Sequence, residues 1–250
     1  MLNRRKITLP GVLAENGEED GMTEEKKHTS LHYEQELQAI KDSLIFLGAL
    51  TEEATRDAMQ SLSERDTELA RKVIHDDDEI DRLDTALEEK CIRVLALRQP
   101  AAIDLRFITT AIKITGHLER IGDMAVNIAE KALILNSEPQ LKPYIDLPRM
   151  TDLVRGMIRD SLDSFIRNDP TVAERVRQTE QIVDDLNEQI FRELLTYMLE
   201  DSKSINRSLM IMQISKNMER IADHAQGIAD MVIYMLTGEN VRHQNYPSSK

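Results

Sequence analysis

Leu118-Glu-Arg-Ile-Gly-Asp-Met-Ala-Val-Asn-Ile-Ala-Glu130 returns one hundred positions later as Met218-Glu-Arg-Ile-Ala-Asp-His-Ala-Gln-Gly-Ile-Ala-Asp230. Between Glu119 and Ala129, seven of eleven positions are identical in the two copies. The similarity extends upstream. Asp66-Thr-Glu-Leu-Ala-Arg-Lys-Val73 is matched by Asp169-Pro-Thr-Val-Ala-Glu-Arg-Val176, and Ile80-Asp-Arg-Leu83 by Val183-Asp-Asp-Leu186, both at an offset of 103. Self-similarity at a nearly constant offset marks a duplicated structural unit.

Each unit reads as helical. Leu37, Ile40, Leu44, Leu47, Thr51, Ala54, Ala58 and Leu62 recur at 3–4 spacing and predict a helix over about 32–64. Leu69, Val73, Ile80, Leu83, Leu87, Cys91, Val94 and Leu97 form the apolar face of a second, 67–98. Asp66 is its expected N-cap, and Gln99-Pro100 ends it. A third spans 102–135, followed by a proline-bearing linker, 136–148. Further helices are expected at 149–167, 170–200 and 204–237, with Asp169-Pro170 as cap and first helical residue of the middle one. The fold class is therefore all-α: two tandem, sequence-related three-helix bundles. The expected division is a flexible N-terminal tail at 1–31, a first repeat at 32–140, a second at 141–240 and a polar C-terminal tail at 241–250.

Composition agrees. The 250 residues contain 9 Gly, 7 Pro, no Trp and only 4% aromatics, too few turn and strand formers for a β-sandwich or barrel. The net charge of −13 (45 acidic against 32 basic residues) argues against nucleic acid or anionic lipid as a direct partner. The single cysteine, Cys91, excludes an internal disulfide framework and a thiolate-rich zinc site, and fits a reducing, cytoplasmic compartment. Arg4, Arg5 and Lys6 lead into Pro and Gly rather than an apolar signal core, and the apolar run Leu44–Leu50 is too short to span a bilayer. Membrane association is expected only through a protein partner.

Four acidic pairs stand at i,i+4 spacing: Asp77/Asp81 and Glu119/Asp123 in the first repeat, Glu180/Asp184 and Glu219/Asp223 in the second. Residues four apart share a helix face. If the second and third helices of a repeat are antiparallel neighbours, two pairs converge, and four carboxylates in one place call for a cation or an arginine. Asn127 and Glu130 extend the stripe on one helix, Asp84 and Glu88 on the other. Oxygen-only donors suit Mg²⁺, Mn²⁺, Ca²⁺ or iron. The bland alternative is a solvated acidic face. Arg120 and Arg220 follow the motif acids directly and are expected to point about 100° away, toward inter-helix salt bridges. Arg106 is either a neutralising partner of the second helix or an ordinary end-of-helix charge. His75, His117 and His224 face away from the acidic stripe by the same phasing. Met210, Met212 and Met218 read as core.

Several enzymatic readings fail. Glu25-Lys-Lys-His28 is the only Glu-x-x-His, and it lies in the tail. His117-Leu-Glu119 has the deaminase spacing but lacks the two partner cysteines. No phosphate-binding glycine loop or nucleophile elbow is present.

The paired motifs Leu118–Asp123 with Asn127–Glu130, and Met218–Asp223 with Ile228–Asp230, together with Asp104-Leu-Arg106 and Ile80–Leu83, are similar to those of the PhoU family, over roughly 32–237. The resemblance implies multinuclear clusters of iron, zinc, manganese or magnesium on the acidic motifs. It implies a regulatory role: coupling a phosphate ABC transporter, through its ATPase subunit, to a sensor histidine kinase, and repressing uptake and the phosphate-starvation response. Homodimers are common in such proteins. Gly227 stands where the first repeat has Asn127, and Ile205-Asn206-Arg207 where it has Asp104-Leu105-Arg106, so firmer binding is expected in the first repeat. The competing readings are a metal-dependent hydrolase or oxidase and a purely structural scaffold.

Overall fold

The computed structural model describes residues 24–238, and the described elements are all helical. They are α1 Glu24–Ser63, α2 Thr67–Arg98, α3 Ala102–Asn136, α4 Asp146–Arg167, α5 Pro170–Glu200 and α6 Ile205–Thr237, with a single 3₁₀ turn, Ser202–Ser204, before α6. Short connections alternate the helix sense. α1, α2 and α3 form one three-helix bundle and α4, α5 and α6 the other. The two bundles meet where α3 runs along α6 and α1 along α4.

The caps act as their chemistry requires. The Asp66 carboxylate accepts from the Leu69 amide at 2.9 Å. The Asp169 carboxylate accepts from the Thr171 amide at 2.9 Å, with Pro170 in the first turn of α5. Gln99 closes α2 in the left-handed conformation just before Pro100. α2 and α5 keep the limits expected from sequence, and α3 runs one residue further.

Two boundaries differ by more than one residue. α1 begins at Glu24, so 24–31 are helical although no apolar periodicity announces them. This stretch is rich in Glu and Lys, whose helix propensity is high. The rest of the expected tail, 1–23, lies outside the described residues, as does 241–250. α4 begins at Asp146, inside the expected linker, with Pro148 in its first turn. Amides there have no intrahelical acceptor, so a proline is tolerated.

Ile40, Leu44, Leu47, Ile108, Ile114, Leu118, Ile121 and Ile128 are fully buried, as are Ile211, Ile214, Met218, Ile221 and Ile228, in one continuous core. Each such side chain contributes about 1.5–3 kcal/mol relative to exposure. Leu97 leaves the expected apolar face and stands 69% exposed at the end of α2. Between the bundles, Phe107 stacks on Phe165 with ring centroids 4.9 Å apart. Glu52 of α1 accepts from Arg155 at 3.0 Å and from Arg159 at 3.2 Å, both on α4. The Arg65 guanidinium donates to the carbonyls of Asn136 and Glu138, pinning the connection between the repeats. Among the described residues, no helix is long and apolar enough to cross a membrane.

Candidate functional site

α2 and α3 bring the two acidic pairs of the first repeat together. Burial, then the charges of Asp81, Asp123 and Glu119, push Asp77 up to about 6. Burial and the nearby Asp123 raise Glu119 as well, with Arg120 opposing them and Asp84 and Asp81 adding to the rise. Asp84 is raised by burial and by Glu88 and Asp81. It belongs to this group, and only its place on the acidic stripe signalled it. Close helix contact makes the convergence possible. A Cβ on Gly122 would lie 3.0 Å from Asp77 Oδ1 and 3.2 Å from Ile80 Cγ2, so the glycine lets α2 lean onto α3 at the motif.

The second repeat repeats the arrangement between α5 and α6. Burial, then Asp184 and Asp223, with a hydrogen bond to Asp184 and the charge of Glu219 beyond them, push Glu180 up to about 7. Asp184 is raised by burial and Glu219. Burial, then Glu219 and Asp184, push Asp223 up to about 6, although its side chain keeps solvent contact. Crowded carboxylates in partial burial resist ionising together, and each held proton marks charge that the fold leaves unbalanced.

The cations sit differently from the sequence expectation. Arg120 does not reach across to another helix. Its Nη1 donates to Asp123 Oδ2 at 2.9 Å, and its Nε lies 3.3 Å from Glu119 Oε2, both on its own helix. The long side chain folds back over the 100° that separates it from its neighbours. In the second repeat Lys216, one turn before the motif, donates to Glu219 Oε1 at 2.6 Å. The other oxygen, Glu219 Oε2, is buried without a hydrogen-bond partner. Arg106 stands exposed beside a hollow of about 480 Å³ that Lys41, Asp104, Phe107, Asn168 and Met235 also line. That is about 20 Å from Glu119 at 1.5 Å per residue, too far to neutralise the motif acids.

Asn127 is exposed and gives its Nδ2 proton to the Asp123 carbonyl at 2.8 Å, leaving its side-chain oxygen as the only group it could offer an ion. His75 is exposed beside Asp76. His117 and His224 do turn away from the acids, and they meet each other across the α3–α6 contact, with Nδ1 to Nδ1 at 3.0 Å. The second repeat also holds a buried pair with no counterpart in the first. Arg177 Nε lies 3.0 Å from Asp230 Oδ1, their side chains 9% and 12% exposed. The register-equivalent residues are Ile74 and Glu130.

The donor chemistry of both groups fits a hard cation: oxygen ligands from two helices and charge only partly balanced by Arg120 or Lys216, with an orphaned carboxylate oxygen on Glu219 in the second. Among the described residues, no three acidic, histidine or cysteine groups are gathered tightly enough to hold an ion as they stand. The groups are open, and a coordination shell would need carboxylate rotation.

The PhoU domain model matches the chain twice, over residues 44–132 and 147–232. The phosphate-specific transport system accessory protein PhoU homolog of Aquifex aeolicus is 44% identical over 210 residues, 84% of this chain and 95% of that protein. Its homolog from Pseudomonas putida is 40% identical over 217 residues, covering 86% of this chain and 85% of the relative. The crystal structure of PhoU from Pseudomonas aeruginosa superposes with a TM-score of 0.80 at 38% identity, covering 83% of this chain and all of that one. The phosphate transport system regulatory protein PhoU from Streptococcus pneumoniae superposes with a TM-score of 0.77 at 28% identity, covering 84% of this chain and 99% of that one.

Proposed function

The chain belongs to the PhoU family, and from that membership we propose that it is an accessory protein of a phosphate-specific transport system, a non-enzymatic adaptor that takes up metal ions on its two acidic groups. The names of the relatives carry the transport role: they are accessory or regulatory proteins rather than enzymes. The observation that carries the ion is the convergence of four carboxylates at matching registers of both repeats, with Asp77, Glu180 and Asp223 all held above the ordinary carboxylate range.

Asp77, Asp81, Glu119 and Asp123 would hold one site, with Asn127 at its edge; Glu180, Asp184, Glu219 and Asp223 would hold the other. A bound divalent or iron ion supplies positive charge that turns a repulsive pair of faces into a cross-link between two helices. The residues themselves collect the charge and hold it in place by close helix packing, with Ile80 beside Gly122 and Asp77 at the contact. The proposed partners are the ATPase subunit of a phosphate ABC transporter and a sensor histidine kinase, with this chain acting as a negative regulator of uptake and of the starvation response. The proposed location is the cytoplasmic side of the membrane, held there through those partners, with the chain as a homodimer.

The test is complex formation between purified chain and the transporter ATPase subunit or kinase, measured by surface plasmon resonance. Metal content is followed by plasma mass spectrometry on protein purified without chelator. Stoichiometric Fe, Zn, Mn or Mg is expected, together with weaker complexes after the Glu119→Gln/Asp123→Asn and Glu219→Gln/Asp223→Asn substitutions. Metal-free protein that binds both partners unchanged would refute the metal role. Failure to bind either partner in any metal state would refute the adaptor role.

A further inference from the structure

His117 lies on α3 and His224 on α6, and their half-buried rings meet edge to face at the junction of the two repeats, with centroids 5.1 Å apart and planes at 71°. Their Nδ1 atoms are 3.0 Å apart. Two arrangements explain so short a separation. In one, the nitrogens share a proton, which obliges one of the two rings to be protonated at Nδ1 and the other not. In the other they share an ion. A metal sits about 2.0–2.1 Å from each imidazole nitrogen, so two nitrogens at 90–110° around one metal are about 2.9–3.4 Å apart. The observed distance falls within that range.

The fold makes room for the pair. A Cβ on Gly227 would lie 2.6 Å from His117 Cε1 and 3.2 Å from its Nδ1, so only glycine leaves this ring where it is. That explains why the second repeat departs from Asn127 at the equivalent position. The pair is also foreign to the duplication: the other repeat has Asn217 where the first has His117, and Met124 where the second has His224. Ligation requires both rings in their neutral form, and Arg120 is the cation of α3 near this junction. Arg120 is itself engaged by Glu119 and Asp123.

We propose that His117 and His224 form a two-imidazole site for a borderline transition metal such as Zn²⁺, Ni²⁺ or Cu²⁺, clipping the two repeats together at the α3–α6 junction. Imidazole nitrogen suits these ions, whereas Mg²⁺ and Mn²⁺ prefer the carboxylate groups. Water would complete the coordination. The site does not depend on the acidic groups.

The experiment uses the full chain with Glu119→Gln, Asp123→Asn, Glu219→Gln and Asp223→Asn combined, stripped with chelator and titrated calorimetrically with Ni²⁺. One Ni²⁺ per chain should persist in this background, and excess Mg²⁺ should not compete. His117→Asn and His224→Met, which install the residues of the other repeat, should each weaken binding by about tenfold or more, at least the cost of losing an outer-shell partner. Gly227→Ala, which displaces a ring without removing a ligand, should also weaken it. On the wild-type chain, one equivalent of Cu²⁺ should give an electron paramagnetic resonance spectrum with coupling to two imidazole nitrogens. Absence of Ni²⁺ binding in the carboxylate-deficient background, binding indifferent to both histidine substitutions, or an oxygen-only Cu²⁺ spectrum would each overturn the proposal. Loss of the carboxylate-bound metal with the Ni²⁺ site intact, or the reverse, separates this proposal from the one above.

Discussion

The two repeats place four acids at matching registers of the same helix faces and balance them by different means. In the first, short Asp77 lies against Gly122, and Arg120 covers Glu119 and Asp123 from their own helix. Asp84 adds a fifth acid. In the second, Glu180 is one methylene longer and the residue equivalent to Gly122 is Ala222. Asn187 replaces Asp84 and accepts from Ser215 Oγ at 2.7 Å. Among the described residues, the direct ion pair to a motif acid there is Lys216 with Glu219. Burial and crowding raise acids in both groups, Glu180 to about 7 and Asp223 to about 6 in the second and Asp77 to about 6 in the first. The motif sets where the carboxylates stand; residues outside it set how much charge is left for an ion to answer.

The largest expected effect breaks the comparison at Arg177–Asp230. Asp230→Ala leaves the nearly buried Arg177 guanidinium with Glu174, 3.2 Å away, as a remaining ion-pair partner and should cost about 2 kcal/mol, read as a fall in melting temperature of about 4–8 °C for a chain of this size. Glu130→Ala, its exposed counterpart, should stay within about 0.5 kcal/mol. Equal effects would mean that the second repeat does not rely on this pair. Next, removing one acid pair at a time should lower metal affinity about tenfold or more in its own repeat only, as followed by calorimetry. Loss from both repeats together would mean that the groups are coupled. The metal-free melting temperature should rise in these variants, because like charges are removed.

The pH response distinguishes the repeats further. Carboxyls raised in the folded state bind protons there that the unfolded chain has already lost. The metal-free protein should therefore lose stability as pH climbs from about 4 toward 7. Glu180→Gln should flatten the upper part of that slope, and Asp77→Asn only the part below about 6. Thermal melts at a series of pH values read both. The smallest effect is on the counter-cations. Exposed ion pairs are worth about 0.2–1 kcal/mol, so Arg120→Ala should raise first-repeat metal affinity by no more than about fivefold. Lys216→Ala should do the same for the second repeat. The expectation of firmer binding in the first repeat rests on Asn127 and on the Asp104-Leu105-Arg106 stretch that the second repeat lacks. Arg120 works against it and Asp84 for it, and these titrations decide between them.

Much of the molecule was legible in the chain itself. The limits of α2 and α5, their aspartate caps, the duplication and the four acid pairs all follow from spacing within a few residues. Helical periodicity and capping are local physics, and they survive whatever the helices later pack against. The start of α1 was not legible in this way, because its first turns carry helix formers without an apolar stripe. The tertiary structure alone decided which groups answer the acids and which meet across the fold. Arg120 folds back onto Glu119 and Asp123, where phasing pointed it elsewhere. His117 finds His224, Arg177 finds Asp230, and Gly227 is explained by a ring on another helix. These contacts join residues about 50 to 110 positions apart. Their geometry depends on how α3 crosses α6 and α5 lies on α6, which the packing of the whole apolar core determines and no single helix face records.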